Sequence, residues 1–142
     1  MPFTIDVHEF IEEQINRISK YYDTNRSKLI AFESKQRFID WYFNELNLHD
    51  NRCHYCNTSI LDIRRLINAG IINGRAVRNG TLRGPNFEID RRDPFGVYNE
   101  ENCVLSCYYC NNDKSNTFNY EIFLNIIGPA KGIAWGNLLN RL

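Results

Sequence analysis

An α+β fold, with a small hairpin-and-helix core set between N-terminal and C-terminal helices, follows from three observations on the sequence. Apolar residues recur at helical spacing through the first fifty positions. Two short apolar runs, 87–90 and 103–106, are separated by a turn-rich segment. Two CxxC units, Cys53/Cys56 and Cys107/Cys110, bracket that pair of runs. The first pattern is that of amphipathic helices and the second that of a β-hairpin. In the third, the two-residue gap lets both sulfurs of a pair converge on one ion without backbone strain, and four thiolates make a tetrahedral zinc set. A structural zinc is therefore expected, joining two distant stretches of chain.

With 142 residues, 43% hydrophobic and 13% aromatic, the chain can bury one compact core. The expected division is a helical extension over 1–50, the zinc-stapled core over 51–118, and C-terminal helices over 119–142 packed on that core. No run of 18 apolar residues exists, and Asp6, Glu9, Glu12 and Glu13 occupy the stretch where a signal peptide would be basic and then apolar. A soluble, cytoplasmic protein with no membrane partner is expected. Of the five cysteines, Cys103 lies in the apolar run CVLS and reads as a buried, inert thiol. A thiol redox role is disfavoured, because redox CxxC motifs usually come singly, at a helix start after a βαβ strand.

The first helix is expected to follow a cap at Thr4 or Asp6, with Val7, Ile11, Ile15, Ile18 and Tyr22 as its apolar stripe, and to end at the polar break 23–27. A second carries Leu29, Phe32, Ile39, Phe43 and Leu46, widened by Trp41 and Tyr42, so that it packs on two sides. Thr58 is the expected cap of a third helix that Gly70 ends, and residues 73–85, rich in Gly, Asn and Arg, read as a mobile loop. After the hairpin, CYYCNNDKS is one short helix, followed by helical stretches 120–127 and 130–139, the latter started by Pro129.

The net charge of zero hides an uneven distribution. Residues 51–92 carry eight arginines against Asp62, Glu88 and Asp90, whereas both flanks are net acidic. A phosphate backbone responds to local charge, and arginine suits bidentate phosphate contact. Arg75, Arg78, Arg83, Arg91 and Arg92 are the expected nucleic-acid contacts.

The run FEIDRRDPFGVYNEENCVLSCYYCNNDKS, with its flanking CxxC pairs, resembles the ββα-metal core of HNH endonucleases over about residues 53–116. In that pattern a strand ends in an aspartate, a second strand opens on an asparagine, and a helix beside a structural CxxC carries a metal-binding histidine or asparagine. The resemblance implies that Asp90 and Asn111 bind a catalytic magnesium, manganese or nickel ion, and oxygen donors suit such hard cations. It further implies that Asn102 braces the hairpin loop and that Lys114 pairs with a phosphate or with the acidic loop.

One position departs from the pattern. Where the family places a histidine general base, directly after the aspartate, this sequence has Arg91, whose guanidinium keeps its proton at any working pH. Arg91 can still clamp a phosphate, and the base then has to come from elsewhere, with Asp93, Tyr98 and His54 as candidates. The function expected is a metal-dependent endonuclease acting on DNA. The alternative is a zinc-stapled DNA-binding module of the same fold that has lost hydrolysis. The two N-terminal helices either complete the core or form a homodimer face, and the sequence leaves both open.

Overall fold

In the computed structural model of the protein, which describes residues 2–142, the chain begins with α1 (Val7–Thr24), α2 (Lys35–Leu48) and α3 (Ile60–Asn68). A short ribbon of β1 (Arg75–Ala76) and β2 (Leu82–Arg83) precedes the hairpin strands β3 (Phe87–Arg91) and β4 (Cys103–Cys107). Then come α4 (Tyr108–Lys114), α5 (Tyr120–Ile122), a π turn (Phe123–Ile127) and α6 (Gly128–Leu139). Among the described residues, no helix is long and apolar enough to cross a membrane.

Asp6 caps α1 by accepting from the Glu9 N–H at 3.0 Å, which satisfies one of the orphan donors at the helix start. The buried face is Phe10, Gln14, Ile18 and Tyr22, at four-residue spacing, which shares Ile18 and Tyr22 with the expected stripe but leaves Ile15 55% and Val7 40% exposed. The pattern misled because a polar residue occupies the centre of the buried face. Gln14 is fully buried with both ends of its amide in use: Tyr42 Oη donates to Oε1 at 2.7 Å, and Nε2 donates to Asn86 Oδ1 at 2.9 Å. A buried amide so satisfied is tolerated where an unpaired one is not.

Ser34 caps α2, accepting from Arg37 N at 3.1 Å. Leu29 and Phe32 lie ahead of this helix, because Glu33 adopts φ +75° and breaks the run; both are buried nonetheless. Phe32 and Phe38 meet edge to face with centroids 5.0 Å apart, and Trp41 lies 5.1 Å from Phe32. α2 packs on α1 and on β4, so the N-terminal helices complete the core. In α3 the cap is Ser59, one residue beyond the expected Thr58, accepting from Leu61 N at 3.2 Å.

Residues 73–85, expected as a mobile loop, form the β1–β2 ribbon, with Arg75 opposite Arg83 and Ala76 opposite Leu82. Asn79–Gly80 makes the turn: Gly80 takes φ +81°, and Val77 N donates to Thr81 O at 3.0 Å. An Asn-Gly pair set between strand residues, here with Val77 and Leu82 two positions out, is a hairpin signal, and the arginines around it masked the pattern. β3 and β4 pair antiparallel with Asp90 opposite Val104 and Ile89 opposite Leu105. β4 is buried along its whole length, while the far edge of β3 pairs with no strand and borders a groove.

The two expected C-terminal helices are one continuous run from 120 to 139. Proline lacks an N–H and crowds the carbonyl four residues back, and the π turn immediately before Pro129 absorbs that mismatch. One cluster of buried side chains runs from Phe10 through β4 to Trp135, drawing on all three stretches of the chain.

Candidate functional site

The four cysteines of the CxxC pairs are all buried, and their sulfurs lie within 4.8 Å of one another. A tetrahedron with Zn–S bonds of about 2.3 Å has sulfurs about 3.8 Å apart, so the cluster fits a structural zinc. The backbone supports thiolates here. Cys53 Sγ accepts from Tyr55 N at 3.4 Å and Cys107 N at 3.3 Å, and Cys107 Sγ accepts from Cys110 N at 3.4 Å. Burial opposes ionisation of Cys53, yet hydrogen bonds from the neighbouring thiols outweigh it and hold that thiol well below its ordinary range. His54 N donates to Leu105 O at 3.0 Å, which seats the first knuckle on β4.

Asp90, at the end of β3, is buried against this knuckle. Tyr55 Oη donates to its Oδ2 at 2.5 Å, and Lys114 Nζ lies 3.3 Å from the same oxygen. Burial pushes the Asp90 carboxyl up, and the two partners pull it back. Burial and the neighbouring carboxylate together raise the Tyr55 phenol. Lys114 is wholly buried and also donates to Arg91 O at 3.0 Å, so of its two expected partners, a phosphate or the acidic loop, the phosphate is out of reach; it anchors Asp90 and the strand end from behind.

Asn111, on α4, donates through Nδ2 to Glu88 Oε1 at 2.9 Å. Glu88 sits two residues before Asp90 on β3, hence on the same face of the strand. Arg83 clamps the carboxylate of Glu88 with Nε at 2.8 Å and Nη2 at 2.6 Å, its guanidinium lying 4.5 Å above the Tyr108 ring. Glu88, Asp90, Arg91 and Asn111 line a single groove of about 560 Å³ along the open edge of β3. A strand-end carboxylate and a helix amide thus open into one polar cleft beside a four-cysteine cluster.

No family model matches the sequence, and no curated protein matches it. Among solved structures, the rare-cutting HNH restriction endonuclease PacI, described for the way it perturbs DNA, superposes with a TM-score of 0.61 and 26% identity, over 82% of this chain and 74% of that one. The chain has an HNH endonuclease fold.

Within this HNH core, Asn102 holds the loop between the strands. Its Oδ1 accepts from Asp93 N at 3.0 Å, and its Nδ2 donates to Asp93 O at 3.1 Å and Val97 O at 3.0 Å. Arg91, directly after Asp90, donates to Gly96 O at 3.0 Å and lies 4.5 Å over the Tyr98 ring, which Lys28 approaches at 4.6 Å. Asp93 is a turn cap, accepting from Phe95 N at 3.0 Å. His54 Nε2 is 2.7 Å from Tyr120 Oη, which also accepts from Arg92 Nη1 at 2.5 Å. Burial and the charge of Arg92 push His54 down to about 4, so it is neutral at neutral pH.

The predicted arginines divide accordingly. Arg75 and Arg78 are exposed on the ribbon, Arg83 is committed to Glu88, and Arg92 to Tyr120. Arg64, part of the same sequence surplus, is 1% exposed and ties α3 to Glu13, Asn86 and Pro85 O, so it faces no ligand. Sequence reasoning passed over two residues that touch the site. Tyr55 lies between Cys53 and Cys56, where a knuckle residue is expected, and Glu88 reads as one acid among the arginines, although its spacing of two from Asp90 on a strand places it on the same face.

Proposed function

We propose that the protein is a metal-dependent endonuclease that hydrolyses DNA phosphodiester bonds, with zinc structural at Cys53, Cys56, Cys107 and Cys110 and a magnesium, manganese or nickel ion held by Asp90 and Asn111. The supporting observation is that Asp90 and Asn111 open into the same groove on an HNH fold. Tyr55 and Lys114 both engage Oδ2 of Asp90, which leaves its other oxygen as the one to ligate a cation. Held by Asp90 and Asn111, a divalent ion would supply charge neutralisation at the leaving oxygen and activation of water. Such activation would matter because Arg91 cannot accept a proton. We assign Arg91, on the groove edge, to the scissile phosphate, and Asn102 to holding the loop that presents it.

Plasmid nicking in magnesium, manganese or nickel tests this. Asp90→Ala and Asn111→Ala are each expected to cut the rate by at least about a thousand-fold, since the ion's contribution is several kcal/mol and each 1.36 kcal/mol is tenfold. Zinc content should stay intact in both variants. Unchanged plasmid with all three ions, from folded and zinc-loaded protein, overturns the enzyme reading. Arg91 in place of histidine favours one alternative, a catalytically silent DNA-binding module. Salt-sensitive binding to duplex DNA without nicking, unaffected by Asp90→Ala, is its signature.

The DNA contact itself makes a separate prediction. Arg75 and Arg78 present guanidinium groups on a short exposed ribbon and should track the phosphate backbone without reading bases. Each phosphate contact contributes about 0.9 to the slope of log affinity against log salt. Neutralising both should lower that slope by about 2; an unchanged slope removes the ribbon from the interface.

A further inference from the structure

Glu88 has no part in the chemistry just described, yet it is the residue in contact with Asn111. Its side chain is 18% exposed, it faces the groove from the same side of β3 as Asp90, and Arg83 holds both its oxygens. An asparagine amide has two ends of nearly equal size, and only the oxygen can bind a cation. We propose that Glu88 is a positioning residue: its carboxylate takes the Nδ2 end of Asn111 and so turns Oδ1 toward the metal, an inference that rests on the metal site proposed above.

The argument is one of donors and acceptors. Arg83 donates to both oxygens of Glu88, so the carboxylate presents an acceptor to Asn111, and the end of the amide that faces it is the NH₂ group. The 2.9 Å contact from Nδ2 satisfies that condition. Arg83 makes the device reliable in two ways. Its bidentate pairing fixes the plane of the carboxylate, so that Oε1 points along a set direction. Its stacking over Tyr108, the first residue of α4, ties the clamp to the helix that carries Asn111. Partners of this kind orient metal ligands elsewhere, and their loss typically costs 10–100-fold in metal affinity.

A direct readout is manganese affinity of the full-length, zinc-loaded protein, followed by electron paramagnetic resonance without DNA. Glu88→Ala should weaken manganese binding by about ten-fold or more, with zinc content unchanged. The decisive comparison is in an Asn111→Asp background. Aspartate presents two equivalent oxygens and needs no orienting, so there Glu88→Ala should leave manganese affinity unchanged or improve it by removing a like charge. Full manganese affinity in the Glu88→Ala single variant overturns the proposal. So does an equal loss in both backgrounds, which would make Glu88 a ligand or a fold-stabilising partner. Absence of any manganese binding by the parent protein, or binding that Asp90→Ala leaves untouched, refutes the metal site itself and is distinguishable from either result.

Discussion

Stripping zinc from this protein should unfold it. Chelation of the metal, or serine at Cys56 and Cys110 together, is expected to replace a cooperative thermal transition by a featureless one. The four ligands come from two knuckles that belong to different parts of the fold: Cys53 and Cys56 precede α3, and Cys107 and Cys110 sit at the β4–α4 junction. Structural zinc contributes roughly 10–16 kcal/mol in small zinc-binding domains, whereas a whole domain is stable by only about 5–15 kcal/mol. Losing the metal therefore removes an amount comparable to the whole net stability of a domain. The site depends on it as well, because Tyr55 lies between two ligands and donates to Asp90 at 2.5 Å. Near-ultraviolet circular dichroism should collapse on chelation, since Tyr109 and Trp135 pack 5.3 Å apart beside Cys110. Retention of that signal and of the thermal transition, with zinc shown to be gone, contradicts the expectation.

What the sequence showed of this fold is what has a covalent or periodic signature. The cysteine spacing, the two hairpin strands and the helix carrying Asn111 are all visible in it, because each imposes a residue type at a fixed interval. The buried face of α1 is not, since its centre is Gln14, whose burial depends on Tyr42 and Asn86, residues 28 and 72 positions away. Lys114 is instructive for the same reason. A lysine ending α4 reads as a contact to a phosphate or to the acidic loop, and only the fold reveals that it is buried on Asp90 and the Arg91 carbonyl. Charge counting is limited likewise at Arg64 and Arg83, because it cannot separate an arginine facing solvent from one paired with Glu13 or Glu88. Long-range pairing decides the fate of each of these residues, and single-sequence patterns carry only local information.

The helix α6 carries three glycines at four-residue spacing, and they predict opposite outcomes. A β-carbon at Gly128 would lie 2.4 Å from Tyr55 O, and one at Gly132 2.4 Å from Cys56 O, whereas one at Gly136 meets nothing within 4 Å. The obstacles at the first two are backbone carbonyls of the zinc knuckle, which cannot rotate aside as a side-chain tip does. Gly132→Ala and Gly128→Ala should therefore each cost about 3 kcal/mol, the upper end of ordinary overpacking, and lower the melting temperature by roughly 10 °C in a chain of this size. Gly136→Ala on the same helix should raise stability by about 0.5–1 kcal/mol, because alanine is the better helix former where space allows. Glycine inside a helix is usually a weakness, and here close approach to the knuckle is the reason two of the three stand where they do. The Gly128 variant should also disturb the site. Pushing Tyr55 aside moves the hydroxyl that holds Asp90 Oδ2, so manganese affinity should fall with Gly128→Ala and stay unchanged with Gly136→Ala. A Gly128→Ala protein as stable and as metal-competent as its parent would mean that α6 does not press on the knuckle.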